Sequence, residues 1–78
     1  MVFRRGPDTY IPPNSVTGNL SVACAPGEVA MSGGYFTNTG FAYDDRPSGD
    51  GAAWIVLIDN FDSGIGGQGY GYVVCTHA

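Results

Sequence analysis

The chain has 78 residues and a formal net charge of −4, with three arginines and no lysine, so it lacks the cationic groups that neutralise phosphates and we expect no nucleic-acid partner. Hydrophobic residues make up 44% of the chain, too many for a disordered polypeptide, while 13 glycines and 5 prolines disfavour long helices. No apolar run approaches the ~20 residues of a membrane-spanning helix, so the composition predicts a small all-β domain with no membrane partner.

The two cysteines, Cys24 and Cys75, are able to form one disulfide. A chain this short buries only roughly 60% of the surface that it exposes when unfolded, so a crosslink would supply a large share of its stability. Closing a loop of about 50 residues is worth on the order of 4 kcal/mol in the chain-entropy description. The alternative interpretation is a pair of free buried thiols.

A disulfide needs an oxidising environment in which to form. The chain does not open with a charged segment followed by an apolar one, so we do not expect a secretory signal peptide. The bridge would then form after a precursor has been trimmed, or after release by cell lysis or within a particle. This predicts a virion or extracellular location.

The first residues, 1–19, are predicted to form an extended, proline-containing arm, followed by a single all-β domain over residues 20–78. Three of the five prolines lie in this arm, and each holds the chain near it in an extended conformation. Arg4 and Arg5 make the arm cationic on an otherwise acidic protein, which suits it to dock on an acidic surface of a neighbouring subunit. A frayed terminus is the alternative.

Strands and turns are predicted through the next part of the chain. Apolar side chains from Val16 to Cys24 share one face, which predicts a half-buried strand. The segment Ala25-Pro26-Gly27-Glu28 has proline and glycine at the positions that a type II turn requires. Gly33-Gly34 predicts a bulge or the close approach of another group, and Asn38-Thr39-Gly40 predicts a further turn.

The second half is predicted to contain a polar loop, a central strand and a closing strand. Residues 44–51 combine turn-forming residues with three carboxylates, which predicts an exposed loop. The apolar run from Ala52 to Asp59 predicts a central strand buried on both faces. After a glycine-rich connection, Tyr70 to His77 is predicted to be the closing strand, with Val73 and Cys75 on one face and both tyrosines on the other.

Three patterns look like functional motifs but lack the context that their chemistry needs. Gly64 to Gly69 has the letters GxGxxG, but a tyrosine-rich strand follows it in place of the helix of a dinucleotide site. Asp59 and Asp62 lack the regular spacing of a calcium-binding loop. Cys75 and His77 share a strand face, but no third group is placed to orient them. We therefore expect no enzyme activity, no cofactor and no metal.

Aromatic side chains are numerous for so short a chain. Trp54, Phe36 and Phe41 are predicted to fill the core, while both an interface role and a core role stay open for the two tyrosines of the closing strand. The candidates for an interface or binding surface combine these tyrosines with others and with the arginines of the arm: Arg4, Arg5, Tyr10, Tyr43, Tyr70 and Tyr72.

The order of these features resembles a module with the pattern C-P-x-G-x-x-x-x-G-G-G, a tryptophan before an apolar strand, and a closing V-x-A-[VI]-C. That module is found at the C-termini of collagen-like and tail-fibre-type proteins of bacteriophages and in secreted bacterial proteins. The matching residues occur in the same order between about Ser15 and Cys75: Cys24, Pro26-Gly27, Gly33-Gly34, Trp54 and Val74-Cys75. The chain departs from the pattern in having Ala25 before the proline and no collagen repeat before the module.

The resemblance implies a disulfide-closed β fold without catalysis, in oligomers displayed on a particle or cell surface. With the features above, it predicts a small antiparallel β-sandwich or barrel-like module that is closed by one disulfide and carries an extended N-terminal arm. The predicted function is a virion-associated structural or capsid-decoration protein that forms homo-oligomers and docks on other virion proteins through its arm. The alternative is an adhesion module that binds a glycan or receptor through exposed tyrosines.

Overall fold

The computed structural model describes residues 1–61 and 64–77, with the side chains of residues 15–17 excepted. In chain order its strands are β1 (Val2–Arg5), β2 (Thr9–Ile11), β3 (Ser15–Asn19), β4 (Val22–Ala23), β5 (Glu28–Thr37), β6 (Phe41–Pro47), β7 (Ala53–Asn60) and β8 (Gly67–His77). Strands β1, β2, β5 and β8 form the antiparallel sheet A, and strands β3, β4, β6 and β7 form the antiparallel sheet B. The predicted all-β class is therefore confirmed, as a two-sheet sandwich whose described strands do not close into a barrel.

The two sheets are built on one plan. In each sheet a long central strand pairs on one side with another long strand and on the other side with two short, consecutive strands. Strand β8 lies between β5 and the pair β1 and β2, while β7 lies between β6 and the pair β3 and β4. The prediction that the apolar run forms a central strand is thus confirmed for β7. No helix in the described part of the chain is long and apolar enough to cross a membrane.

The segment predicted as an arm is extended, and it lies along the sandwich. Strand β1 pairs with Tyr72 to Cys75, and β2 pairs with Gly67 to Gly69, so both occupy the same edge of β8. Ile11, at the end of β2, is fully buried. Strand β3, which falls before residue 20, belongs to sheet B. Docking of the arm on a neighbouring subunit stays a prediction.

The core between the sheets is small. Its buried apolar residues are Ile11, Leu20, Val56, Ile58, Val73 and Cys75. Along β7, Val56 and Ile58 are buried whereas Ile55 and Leu57 are only half-buried. The prediction of two buried faces for this strand is therefore wrong, because a two-layer sandwich covers only one face of each sheet.

The aromatic residues predicted for the core are placed differently. Trp54 is half-buried, packs against the core and donates a hydrogen bond from Nε1 to Asp45 Oδ1 at 2.6 Å. Phe36 and Phe41 are 54% and 49% exposed, so their assignment to the core is wrong. The pairing register explains this, because Phe36 lies opposite the outward-facing Tyr70 and Phe41 lies opposite a residue on the outer face of β7.

The predicted type II turn at residues 25–28 is confirmed. Gly27 has a φ of 84°, and the main-chain nitrogen of Glu28 donates a hydrogen bond to the carbonyl oxygen of Ala25 at 3.1 Å. Gly40 also has a positive φ, of 70°, in the predicted turn between β5 and β6. Both glycines supply a backbone conformation that other residues rarely adopt.

The predicted loop over residues 44–51 is wrong in its first half. Strand β6 continues to Pro47, and only residues 48–52 form the connection to β7. This connection is tight because Asp50 Oδ1 accepts hydrogen bonds from Ser48 Oγ at 2.6 Å and from the nitrogen of Ala52 at 3.0 Å. The polar residues at the start of the predicted loop are tolerated in β6 because it is an edge strand beside solvent.

Strand β8 begins at Gly67, three residues before the predicted start at Tyr70. Its alternation agrees with the prediction, since Val73 and Cys75 are buried while Tyr70 and Tyr72 are only half-buried. The inward orientation predicted for Val16 and the acidic group predicted at Asp62 lie outside the described residues.

Glycines let the two sheets approach closely. A Cβ atom at Gly71 would collide with the carbonyl oxygen of Leu20, and one at Gly33 would collide with the indole of Trp54. On the other side of sheet A, a Cβ at Gly34 would come within 2.5 Å of the Tyr72 hydroxyl. The close approach predicted at Gly33-Gly34 is thus confirmed.

A disulfide between Cys24 and Cys75 connects the two sheets, as predicted. Cys24 directly follows β4 of sheet B, and Cys75 lies near the end of β8, the central strand of sheet A. The Cα atoms are 6.0 Å apart, and 51 positions separate the two residues in the sequence. A disulfide is compatible with an extracellular or secreted protein.

We expect replacement of Gly71 by alanine to destabilise the fold by about 1–3 kcal/mol, because the new methyl group meets the main chain of Leu20, which cannot move without disturbing both sheets. The matched control is Gly49→Ala, since nothing lies within 4 Å of a Cβ at Gly49. Urea unfolding of both variants measures the difference. Equal stability of the two variants would contradict the described packing of the sheets.

We expect the unreduced, folded protein to contain no thiol that reacts with a labelling reagent. Reduction, or the double replacement Cys24→Ser/Cys75→Ser, should lower the melting temperature by roughly 15–30 °C, since closing this loop is worth about 4 kcal/mol. Thiol titration and thermal unfolding monitored by circular dichroism provide the measurements. Thiols that react in the native state would exclude the bridge.

Candidate interaction surface

The outer side of sheet A carries a cluster of aromatic side chains. Gly69 and Gly71 face the core, so Tyr70 and Tyr72, which alternate with them on β8, face outward. The neighbouring strands add one outward aromatic residue each, placed by register opposite Val74, Gln68 and Tyr70 of β8 respectively. We call this surface the aromatic face: Phe3, Tyr10, Phe36, Tyr70 and Tyr72, together with Arg5.

Pairs of rings pack across the strands of this face. The ring centroids of Phe3 and Tyr72 are 5.5 Å apart, and those of Phe36 and Tyr70 are 5.7 Å apart. Such cross-strand pairs stabilise a sheet, yet these rings remain accessible to solvent. Phe3 is 62% exposed, Tyr10 is 61% exposed and Phe36 is 54% exposed. The face is therefore ordered and apolar at its surface.

Arg5 lies on top of this face. Its guanidinium carbon is 3.7 Å from the centroid of the Tyr70 ring, which is the geometry of a cation–π contact. The same guanidinium forms an ion pair with Asp8, three residues further along the chain. Arg5 therefore presents a flat, partly neutralised cationic group above an aromatic ring.

Arg4 points to the opposite side of the sheet. It lies opposite the buried Val73, so its side chain is directed towards the interior, where it reaches Glu28 of β5. Arg4 Nε donates to Glu28 Oε1 at 3.0 Å, and Arg4 Nη2 donates to Oε2 at 2.9 Å. The main-chain nitrogen of Ala25 donates a third hydrogen bond to the same carboxylate at 3.0 Å. This bidentate pair links β1 to β5 across β8.

The carboxylate of Glu28 is the more enclosed partner, with 7% of its side chain exposed against 35% for Arg4. The hydrogen bonds from Arg4 lower the pKa of Glu28 below its ordinary value, and those from Ala25 and the nearby charge of His77 act in the same direction. The pair also raises the pKa of Arg4. Both groups are thus held in their charged forms.

The Glu28 carboxylate lies beside the disulfide. One of its oxygens and the sulfur atoms of Cys24 and Cys75 all lie within 4.8 Å of one another. Sulfur atoms that are bonded to each other are poor metal ligands, because a metal binds the thiolate. The carboxylate is also bound by Arg4. The disulfide and the Arg4–Glu28 pair therefore act here as crosslinks between strands.

The structure brings together four of the six surface candidates, namely Arg5, Tyr10, Tyr70 and Tyr72. Arg4 faces the interior, and Tyr43 lies on β6 of sheet B, where it is 52% exposed. Phe3 and Phe36 were not among the predicted surface candidates. A usable signal for Phe3 was its spacing of two residues from Arg5 in an extended segment, which places both on one side of a strand.

Sheet B has an aromatic pair of its own on its outer side. The rings of Phe41 and Phe61 are 5.6 Å apart, and both side chains are about half exposed or more. The group is smaller than the aromatic face and has no cation over a ring among its described contacts. It offers a natural comparison for experiments on the larger face.

No family model, curated protein or solved structure matches this chain. The resemblance to the bacteriophage and secreted bacterial module therefore stays a prediction, and the function has to be argued from the geometry.

The ion pair between Arg4 and Glu28 predicts how stability depends on pH. Because folding lowers the pKa of Glu28, the pair contributes stability above pH 4.5, the ordinary pKa of a glutamate, and this contribution is lost as pH falls through the lowered value. We expect Glu28→Gln to be less stable than the native chain at pH 7 and the difference to shrink below pH 4.5. Denaturant unfolding at a series of pH values measures this difference.

Arg4→Gln provides the matched control for this prediction, because it removes the other half of the same pair. Asp50, whose pKa is lowered by hydrogen bonds from Ser48 and Ala52, remains in both variants and accounts for some residual loss of stability in acid. A stability difference that is independent of pH would show that the charge of Glu28 does not contribute.

Proposed function

We propose that this chain is a non-catalytic structural subunit of a larger particle, with a virion as the best candidate, and that it assembles with copies of itself and with neighbouring proteins through the aromatic face. The observation that carries the proposal is the cluster of exposed rings on sheet A. A contiguous apolar patch on the surface of a small, otherwise acidic protein marks an interaction site. Covering this patch with another molecule removes the rings from water, which is energetically favourable.

The composition of the face is typical of a protein interface. Aromatic residues and arginine are enriched at the centres of such interfaces, whereas lysine and the carboxylates are depleted there. On this face the cationic group is Arg5, and its charge is partly balanced by Asp8 within the same segment. A partner that covers Arg5 therefore encounters a smaller desolvation cost than it would at an isolated charge.

The details favour a protein partner over a glycan. A ring that binds a sugar must offer one of its faces, but the Tyr70 ring is covered by the guanidinium of Arg5 at 3.7 Å. Tyr72 lies over Gly34 and against Phe3, which leaves less of its ring available. Tyr43, another of the predicted tyrosine candidates, belongs to the other sheet.

The N-terminal segment supplies part of the aromatic face. Strand β1 supplies Phe3 and Arg5, and β2 supplies Tyr10, so half of the aromatic face is built by residues 1–11. The disulfide is compatible with a protein that works outside the cell, including one carried on a released particle. The resemblance to modules of bacteriophage fibres supports the choice of a virion.

We expect Phe36→Ser to lower the average mass of the assembly that the native chain forms, because it removes an exposed ring from the aromatic face with little loss of core packing. Phe41→Ser is the matched control, since it removes a ring of similar exposure from the outer side of sheet B. Sedimentation velocity over a range of concentrations measures the masses.

Two results would overturn the proposal. One is an unchanged mass distribution for Phe36→Ser. The other is binding of the native chain to a glycan array in a manner that Phe36→Ser abolishes, which would assign the same face to carbohydrate recognition.

A further inference from the structure

We propose that residues 1–11, which we call the exchange segment, bind β8 of a second copy of the chain, so that two copies trade their β1 and β2 strands. This inference rests on the proposed assembly function and specifies one partner for the N-terminal segment. The structure supplies three reasons: β8 pairs with both strands of the segment, the hinge is short and strained, and the Arg4–Glu28 ion pair connects the segment to β5.

The exchange segment contacts β8, Glu28 of β5 and, through Ile11, the buried core cluster. Both of its strands pair with β8, and the nitrogen of Gly6 between them donates a hydrogen bond to the carbonyl oxygen of Gly71 at 2.9 Å. Its ion pair between Arg5 and Asp8 is internal and would move with it. A second copy offers the same acceptor strand, so every one of these contacts can form between chains.

The hinge that connects the segment to the sandwich is short. Strand β2 ends at Ile11 in sheet A, and β3 begins at Ser15 in sheet B, which leaves Pro12, Pro13 and Asn14 to carry the chain from one sheet to the other. Each proline fixes its own φ and disfavours helical conformations in the residue before it. Two prolines in three residues therefore favour an open, extended hinge.

The closed hinge contains a strained residue. Asn14 has a φ of 52°, in the left-handed region, and no other non-glycine residue in the described part of the chain has a positive φ. Asparagine tolerates this conformation better than most residues but still at some cost. Short hinges under strain favour the exchange of identical elements between copies, because the open form relieves the strain.

Opening the hinge also has a cost that limits exchange. Asn60 Nδ2 donates a hydrogen bond to the carbonyl oxygen of Pro12 at 3.2 Å, and an extended hinge would change that contact. Since all other contacts are the same within one chain and between two, the equilibrium depends on the hinge and on protein concentration. Exchange is therefore expected to increase with concentration, as in a particle where many copies are close together.

The Arg4–Glu28 pair provides a direct test, because Arg4 belongs to the exchange segment and Glu28 belongs to β5, which lies beside β8 in the rest of the fold. The variant Arg4→Glu places two carboxylates together in its own fold, and Glu28→Arg places two guanidinium groups together. When the two variants are mixed, only an exchanged heterodimer forms opposite-charge pairs, and it forms two of them. We expect native mass spectrometry to detect this heterodimer and the mixture to melt above both separate variants.

The double variant Arg4→Glu/Glu28→Arg is the control, because it restores an opposite-charge pair within one chain. The proposal is overturned by one combination of results. In it, the double variant has a higher melting temperature than either single variant, but the mixture contains no heterodimer and shows the two separate melting transitions of its components. The readout is separate from that of the aromatic face. Arg4 and Glu28 lie on the inner side of sheet A, and association through the outer face restores neither charge pair.

A second experiment tests the hinge and leaves the Arg4–Glu28 ion pair unchanged. In the Phe36→Ser background, which weakens association through the aromatic face, we expect a residual dimer at high concentration. Insertion of Gly-Ser-Gly-Ser between Pro13 and Asn14 should convert it to a monomer, because a long hinge closes without strain. The same insertion after Gly49, in the exposed turn, should leave the dimer unchanged. A chain with the native hinge that remains a monomer at every concentration, or a dimer that survives the hinge insertion, would overturn the proposal.

Discussion

The close contact between the main chain of Leu20 and the inner side of β8 determines which way every side chain on that strand points. No side chain fits between Leu20 and β8, so glycine occupies position 71. Because side chains alternate along a strand, an inward Gly71 requires Tyr70 and Tyr72 to face outward. The outward orientation of these tyrosines is therefore a consequence of how closely the sheets pack, and the aromatic face is fixed by the same contact that fixes the sandwich.

Two crosslinks at one end of the sandwich compensate for its small core. The disulfide between Cys24 and Cys75 joins the sheets, and beside it the Arg4–Glu28 pair joins the outer strands of sheet A across β8. A buried carboxylate is stable only while it is paired, so the ion pair makes the position of β1 part of the folded state. This explains how a strand as short and exposed as β1 is held in register, and why Arg4 differs in role from Arg5.

Local turn chemistry and the facing of side chains on β8 were predictable from the sequence, whereas the facing of the aromatic residues on β5 and β6 was not. The turn at Pro26-Gly27 needs only its own residues, and the disulfide needs only two cysteines that the fold brings together. Phe36 was assigned to the core because most aromatic side chains of a small sandwich fill its core, but its pairing register places it opposite the outward-facing Tyr70. The register of β5 also shifts between Ala30 and Ser32. A similar shift in β6 precedes Asp44. A bulge reverses which side chains face inward. Its position depends on how the strand pairs with its partner, and the sequence of one strand alone does not contain that information.

Strand exchange would place two aromatic faces on one dimer. In an exchanged dimer, Phe3 and Arg5 of one chain would pack on Tyr72 and Tyr70 of the other, so each aromatic face would be built from two chains. The two faces would be related by symmetry, and each would be able to bind a further neighbour. A closed chain completes its aromatic face with its own residues 1–11, so exchange would leave each face unchanged and bring two of them into one unit. Under the proposed function, such a two-faced dimer would be able to extend an assembly, whereas a closed chain with one face would end it.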